Sequence, residues 1–245
     1  MSKCKVVANF GRVACVIAVA ASACTFHVRA VDLATAGADL AMADPSLDLA
    51  MSSSQDAADL ATPPEPPLLT GTHATIPATV NLTSEGKLDW LHAGLATASD
   101  VNRKAGVAPL LTLTTTGVGG QYGNYQPTYT WSDGTPTMSA STKSGIYMNG
   151  VGNGVKLTLP ASATTRTVNV YVTAFNAHPM LTAHLSDGAV ADYSDTQAVG
   201  TANTFFQYTI AVRDATPNAR LVLTWTLTQP GSGYSSVDFM AVTVQ

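Results

Sequence analysis

The stretch "RTVNVYVTAFNAHPMLTAHLS", residues 166–186, decides the fold class. From Arg166 to Ala174, and again from Met180 to Ser186, apolar and polar side chains alternate. Because successive side chains of a strand point to opposite faces, this two-residue period predicts two half-buried β-strands. The same alternation runs through "FFQYTIAV" (205–212), "RLVLTWTLT" (220–228) and "VDFMAVTV" (237–244).

Shorter segments extend this pattern towards the N-terminus. No segment keeps an apolar period of about 3.6 residues for three turns, so we expect helices to be minor. Asp187-Gly188 predicts a hairpin turn, since glycine readily adopts a positive φ. About ten strands at short intervals predict an all-β domain over 70–245, an antiparallel β-sandwich of jelly-roll type. The shorter strand candidates are "TVNLT", "KLDWLHA", "LLTLTTT", "TYTW", "GIYM" and "VKLTLP".

The composition favours a secreted β-protein over a cytosolic enzyme. Only 11% of the residues are charged, against about 25% in average soluble domains. The formal net charge is −4, and no cluster of Lys and Arg is visible. Binding to nucleic acid needs such a cluster, so this class of function is not expected.

The first 23 residues are typical of an export signal. Lys3, Lys5 and Arg12 precede a short apolar run, 13–23, that ends in small residues. The run is shorter than the ~20 apolar residues that span a bilayer, which disfavours the alternative of a membrane anchor. The sequence therefore predicts a signal peptide over 1–23.

The segment "ASAC" (21–24) leaves two kinds of processing open. It fits ordinary cleavage after Ala23, and it also resembles a bacterial lipobox, which implies lipidation of Cys24. A later cut after Ala30 would remove Cys24. Since all three cysteines (Cys4, Cys15 and Cys24) lie at or before the cut, the domain that follows has no disulfide.

Residues 24–69 are predicted to form a disordered acidic tether. Asp-Leu-Ala recurs at 32, 39, 48 and 59 without a fixed period, and the stretch ends in "PPEPP". From residue 31 to residue 67 it has no aromatic residues to bury, so its ordering entropy would go uncompensated. The repeats resemble the tethers of δ-proteobacterial lipoproteins, which implies an outer-membrane or cell-surface location; a periplasmic or secreted protein is the alternative.

The order of strands from "GNGVKLTLPA" to "SSVDFMAVTV" resembles jelly-roll domains of the galactose-binding-like and carbohydrate-binding-module type. In these domains a late tryptophan-bearing strand precedes a final strand of the form V-x-F-x-x-V. The opening "VNLTSEGKLDWLHAGL" is similar to sandwich domains of bacterial surface and polysaccharide-active proteins. The resemblance implies a sandwich that binds sugars, or one that spaces other modules.

The segment "KLDWLHAGL" (87–95) places Asp89 and His92 on either side of Trp90. In an extended strand, Leu88, Trp90 and His92 share one face and Asp89 lies on the other. We therefore expect Leu88 and Trp90 in the core and Asp89 in a structural role. The alternative, an acid–base dyad, would require a turn here.

The segment "QYGNYQPTYTW" (121–131) carries the candidate ligand site. Tyr129 and Trp131 alternate as core residues do. Tyr122 and Tyr125 lie among polar residues and are expected in an exposed loop, where their rings could stack on a sugar while neighbouring amides bond to its hydroxyls. The predicted ligand-binding residues are Tyr122, Asn124, Tyr125 and Gln126; the alternative is that the tyrosines only cover the end of the sandwich.

Asp187, Asp192 and Asp195 are predicted to be solvated hairpin acids, with a calcium site as the alternative. The sequence has no metal motif, and we expect no cofactor. Glu85 is the sole glutamate after the tether, which excludes a glycosidase with paired glutamates and leaves pairs of aspartates open. No catalytic residues are predicted.

The sequence thus favours an exported, lipid-anchored surface protein whose sandwich binds a glycan or a cell-envelope polysaccharide without catalysis. A structural or protein-interaction module with no small ligand is the second hypothesis, and a hydrolase is the third.

Overall fold

We describe a computed structural model, which defines residues 7–9, 12–14 and 64–245. The chain divides into two units, Met1–Ala58 and Asp59–Gln245. In the first unit, β1 (Val7–Asn9) pairs antiparallel with β2 (Arg12–Ala14). The predicted cleavage site, Cys24 and the tether as far as residue 63 lie outside the described residues.

The second unit is built almost entirely of strands, which confirms the predicted all-β class. Helix among its described residues is limited to α1 (Leu82–Glu85). No helix in the described part of the chain has the length and apolar character to cross a membrane. The strands are β3 (Leu68–Thr75), β4 (Thr79–Asn81), β5 (Asp89–Ala93), β6 (Val101–Lys104), β7 (Thr112–Thr116), β8 (Val118–Tyr122), β9 (Thr128–Trp131), β10 (Gly134–Thr135), β11 (Ala140–Thr142), β12 (Gly145–Met148), β13 (Gly154–Pro160), β14 (Arg166–Phe175), β15 (Ala177–Leu185), β16 (Tyr193–Thr196), β17 (Thr204–Arg213), β18 (Arg220–Pro230) and β19 (Ser236–Val244).

Three sheets make up this unit. The central sheet has the order β10-β6-β5-β19-β14-β17-β3, and β12 and β8 extend it beside β19. A five-stranded sheet has the order β16-β15-β18-β13-β7, and a three-stranded sheet has the order β11-β9-β4. Pairing is antiparallel except between β4 and β9. From β13 to β19, apart from β16, successive strands alternate between the five-stranded and the central sheet, as in a jelly roll.

The predicted strands and hairpin are found close to their predicted positions. The segment 166–174 lies in β14, and 180–186 lies almost wholly in β15. Gly188 has the expected positive φ of 68°, and the chain returns from it to pair β16 with β15. The hairpin loop is longer than a two-residue turn, since β15 ends at Leu185 and β16 begins at Tyr193.

The central sheet buries side chains on both faces. Its first face packs on the five-stranded sheet through a large apolar core that includes Leu91, Val170 and Trp225. Its second face packs under the three-stranded sheet through a second core that includes Trp90 and Trp131. Every residue of β19 is therefore buried, and the strand does not show the half-buried pattern that its alternation predicts.

The structure corrects one predicted core residue. Trp90 is fully buried, as expected, but Leu88 is 43% exposed. Leu88 precedes β5, which begins at Asp89, so it lies at the open end of the sheet, where no strand of the second core covers it.

Asp89 connects β5 to the segment before β7 through hydrogen bonds. Its side chain is buried. One carboxylate oxygen accepts the N–H of Trp90 at 2.8 Å, and the other accepts those of Leu110 at 2.8 Å and Leu111 at 3.0 Å. The predicted structural role of Asp89 thus has a physical basis: its carboxylate accepts hydrogen bonds from three backbone N–H groups.

We expect Asp89→Ala to lower the free energy of unfolding by about 3 kcal/mol, because a buried donor left unpaired costs about 1–3 kcal/mol. Asp89→Asn, which keeps one acceptor oxygen, should lose less. Urea denaturation of both variants measures this. A loss below about 1 kcal/mol for Asp89→Ala would contradict the assigned role.

Candidate binding cleft

The second face of the central sheet is covered along only part of its length. β19 pairs with β5 from Ala241 to Val244 and with β12 from Val237 to Phe239. The register with β14 shifts between these two parts, so that Met240 is an extra residue. Over the β5 half lie Trp90, Tyr129 and the rest of the second core. Over the β12 half, the same face opens into a cleft.

The cleft has a volume of about 390 Å³ and a mostly aromatic lining. This volume is at the small end of the range for ligand pockets, about 300–1,000 Å³. The lining residues come from β8, β12, β14, β19 and the loops beside them. They are Tyr122, Tyr125, Tyr147, Phe175, Asn203, Tyr234, Ser236 and Asp238.

Strand pairing fixes the floor of the cleft. Asp238 of β19 lies directly opposite Tyr147 of β12 and Thr173 of β14. Tyr147 in turn lies opposite Gly120 of β8, and a Cβ atom at Gly120 would be 2.8 Å from the Tyr147 hydroxyl. Directly opposite residues share a face, so these side chains form one row across the sheet. The absence of a side chain at Gly120 gives the Tyr147 ring room to lean over β8.

The aromatic rings of the cleft form two groups. Tyr122 and Tyr125 have ring centroids 4.4 Å apart, with planes inclined by 40°. The ring centroid of Tyr234 lies 6.5 Å from that of Tyr147 and 6.1 Å from that of Phe175. Such rings offer large flat surfaces to a ligand, and the phenols add polar tips.

Among the described residues, Asp238 is the one ionisable group on the cleft floor that has a buried polar atom without a hydrogen-bond partner. Its side chain is 2% exposed, and its Oδ1 atom has no hydrogen-bond partner. Burial raises the pKa of this carboxyl to about 7, although the hydroxyls of Ser236 and Tyr125 act in the opposite direction. Burial, followed by the charge of Asp238, also raises the pKa of Tyr125 and that of Tyr234.

The structure brings two of the four predicted ligand-binding residues together. Tyr122, at the end of β8, is 36% exposed and lines the cleft, as does Tyr125. The expectation that Tyr125 lies in an exposed loop is wrong, because it is 2% exposed and packs on Phe205 at 5.9 Å. Its backbone N–H donates to the carbonyl of Lys143 at 2.8 Å, which holds the segment against β12.

Asn124 and Gln126 lie elsewhere. Both are exposed, since they flank the inward-pointing Tyr125 in an extended segment. Asn124 is not among the cleft-lining residues, and Gln126 lines a separate, smaller cleft of about 190 Å³ beside Pro127 and Phe205. The polar partners in the main cleft are instead Asn203, Ser236 and Asp238.

Asp89 and His92 do not form a dyad. The His92 ring lies in the second core against Trp131, at 5.1 Å, and its Nε2 atom is 3.2 Å from the carbonyl oxygen of Ser144. Asp89 points to the other side and bonds to backbone N–H groups. Burial lowers the pKa of His92 to about 4, so the ring is neutral at pH 7.

The three hairpin acids have separate partners. Asp192 pairs with His184 at 2.6 Å, Asp195 pairs with His73 at 2.9 Å, and Asp187 accepts the N–H of Ala189. Within residues 64–245, no three His, Cys, Asp or Glu side chains are placed to share a metal ion.

Four further residues of the cleft lining are not among the predicted site residues: Tyr147, Phe175, Tyr234 and Asp238. Tyr234 lies in "GSGYSS", an aromatic residue among Gly and Ser, and this is the signal that singled out Tyr122 and Tyr125. Asp238 is an acid within an otherwise apolar strand, which is a second usable signal. Nothing in the sequence places these two residues beside Tyr122 and Tyr125, because that proximity depends on the pairing of β19 with β12 and of β12 with β8.

The sequence matches no protein family model and no curated protein. Among solved structures, the chain is similar to the enzymatically active domain of tailspike protein 4 from bacteriophage CBA120, with a TM-score of 0.34 and 14% sequence identity. The similarity covers 55% of this chain and 19% of that chain, so this protein spans a small part of the phage protein's length. A resemblance at this level is too distant to define a shared site.

The pKa of Asp238 predicts how stability depends on pH. A carboxyl that titrates near 3.8 when unfolded and near 7 when folded makes the folded state bind more protons between these values. The free energy of unfolding therefore falls as pH rises from about 4 to about 7. Asp238→Asn lacks this titration, and one pKa unit corresponds to about 1.4 kcal/mol. The free energy of unfolding of Asp238→Asn minus that of wild type should therefore be a few kcal/mol larger at pH 8 than at pH 4.

His92 acts in the opposite sense, because its lowered pKa makes stability fall as pH drops from about 6.5 to about 4. The pH dependences that His92 and Asp238 produce offset each other in the wild-type protein. The measurement is therefore the difference in the free energy of unfolding between Asp238→Asn and wild type. Urea denaturation at pH 4, 6 and 8 gives this difference. A difference that does not change with pH would show that Asp238 titrates normally.

Proposed function

We propose that this protein is an exported glycan-binding protein whose sandwich holds a cell-envelope or environmental polysaccharide in the aromatic cleft, without catalysis. The observation that carries the proposal is the cleft itself, where four tyrosines and Phe175 surround a few polar groups. Sugars present apolar faces edged by hydroxyls, and flat aromatic rings with nearby hydrogen-bonding groups match both features.

The polar groups suit recognition of hydroxyls. Asn203 has donor and acceptor atoms, Ser236 has a hydroxyl, and Asp238 has a free carboxyl oxygen. They lie at the floor and edge of the cleft, whereas Tyr234 is 57% exposed and Tyr122 is 36% exposed. A ligand can therefore stack on the outer rings with its hydroxyls directed towards the polar residues of the lining.

The chemistry of the cleft favours binding over hydrolysis. Asp238 is the single carboxyl group among the described residues that line it. Most glycoside hydrolases use two carboxyl groups, about 5–9.5 Å apart, one as acid and the other as nucleophile or base. Without a second carboxyl group, Asp238 supports ligand contact rather than bond cleavage.

We expect Tyr234→Ala to weaken binding of a recognised polysaccharide by about tenfold or more, because a ring that stacks on a sugar contributes a large share of the binding energy. The purified protein is first run against a polysaccharide panel by affinity electrophoresis, and the variant is then compared on each glycan that retards it. Met138→Ala is the control, because Met138 is 72% exposed and lies outside the cleft.

Equal melting temperatures of the two variants would exclude a folding defect. Failure of the wild-type protein to be retarded by any glycan would overturn the proposal and favour a structural or protein-interaction module. Retardation that Tyr234→Ala leaves unchanged would place the glycan site elsewhere on the domain.

We also propose that the domain is held at the cell surface through a lipid on Cys24, with the acidic segment that ends before β3 as its tether. Support comes from the sequence: the signal-like run 13–23, the lipobox-like "ASAC" and the absence of any later cysteine. A flexible chain of about 45 residues has a root-mean-square reach of roughly 35–40 Å, which would keep the cleft clear of the membrane surface.

The intact mass of the membrane-extracted protein should show an N-terminal Cys24 carrying two or three acyl chains. Cys24→Ser should abolish the mass increment and release the protein from membranes, while a Cys15→Ser control should leave both unchanged. A mature N-terminus with a free amine at Cys24, or cleavage after Ala30, would reject lipidation.

A further inference from the structure

Asp238 is the buried acid that lines the cleft, unlike the other two buried acids of the domain, Asp89 and Asp214. Asp89 uses both of its oxygens to accept backbone N–H groups. Oδ1 of Asp214 accepts the N–H of Thr216 at 2.8 Å, and its Oδ2 atom has no partner, but Asp214 lies outside the cleft lining. Oδ1 of Asp238 is as deeply buried as Asp89 but has no partner, and it belongs to a residue that lines the cleft.

No positive charge in the cleft compensates this carboxyl group. The described lining residues include no Lys, Arg or His. Arg213 pairs with Glu65, and Lys104 pairs with Asp133. A buried carboxylate without a counter-charge is costly, and a cation that enters the cleft would relieve that cost.

The rings around Asp238 also favour a cation. The face of an aromatic ring carries negative electrostatic potential, and an ammonium group within about 6 Å of a ring centroid is attracted to it. The pair Tyr122 and Tyr125 and the group of Tyr147, Tyr234 and Phe175 supply such faces in one small cleft. Aromatic rings combined with a carboxylate form a site for a group that is both cationic and partly apolar.

We propose that the cleft selects a ligand with a positively charged ammonium group, which pairs with the carboxylate of Asp238 and packs against the tyrosine rings. On a glycan this group is the free amine of an unacetylated amino sugar. The sugar scaffold rests on the proposed function, whereas the preference for a cation rests on Asp238 and the rings alone.

Two comparisons by isothermal titration calorimetry at pH 7 test the proposal. The first uses tetramers of glucosamine, N-acetylglucosamine and glucose, which are similar in size and differ in charge. The glucosamine tetramer should bind at least about tenfold more tightly than the other two, in line with the strength of charged hydrogen bonds. The second uses choline, a fixed cation without a sugar, which should bind weakly but measurably.

Three variants assign the preference to the cleft. Asp238→Asn keeps the shape of the side chain and should reduce the affinity for the glucosamine tetramer at least tenfold. Tyr234→Leu, at an exposed position, should weaken binding of the cationic ligand more than that of any neutral one. Asp192→Asn removes the same charge from the five-stranded-sheet side of the domain and should leave every affinity unchanged.

The outcomes separate this inference from the proposed function. If the neutral tetramers bind as tightly as the cationic one, or if Asp238→Asn keeps the preference, the inference is overturned and glycan binding stands. If no tetramer binds but choline does, and only with Asp238 present, the cation preference stands and the glycan proposal fails. If neither choline nor any tetramer binds, both are wrong.

Discussion

The structure depends on a central sheet that must be covered on both faces. β19 lies in the middle of this sheet, and all of its residues from Ser236 to Val244 are buried. Its backbone is paired on one side by β14 and on the other by β5 and then β12. An unpartnered polar side chain in such a strand is destabilising, because burying an unpaired polar group costs roughly 2–7 kcal/mol.

The cleft arises where one of the two covering layers ends. The five-stranded sheet covers the first face of the central sheet, and the three-stranded sheet covers the second face over the β5 half of β19. The change of partner strand from β5 to β12 coincides with the bulge at Met240. Bulges re-aim the side chains that follow them and often lie beside binding sites. Tyr147, Phe175 and Asp238 therefore line a cleft on this face of the sheet. Further along β19, the same face forms part of the closed second core.

The buried and half-buried carboxyl groups show how one residue type takes two roles. Asp89 and Asp133 are bound by backbone, indole, hydroxyl and ammonium donors, so their negative charge contributes to holding loops and strands together. Asp238 has an unpartnered oxygen, and burial raises its pKa. The difference lies in which neighbours the fold supplies, and it is the reason that Asp238 rather than Asp89 belongs to a candidate site.

The amino-acid sequence by itself determined the fold class and most long strands. The two-residue alternation in 166–174, 205–212 and 220–228 located β14, β17 and β18. β17 and β18 have one buried and one less buried face over most of their length, as the alternation predicts, whereas β14 is buried on both faces from Val168 to Ala174. The alternation did not reveal β3, β6 or β8, whose Thr, Gly and charged residues lie at or near sheet edges and bury little. Alternation measures burial, and edge strands have too little of it to leave a pattern.

Only the tertiary structure decided the composition of the cleft. The sequence identified Tyr122 and Tyr125 from their polar surroundings but added Asn124 and Gln126, which lie outside the main cleft. Tyr147, Tyr234 and Asp238 join the two tyrosines from positions 22 to 116 residues further along the chain. Their meeting depends on the register of β8, β12 and β19, and register follows from which strands pair across the sheet, a property that no local stretch of sequence contains.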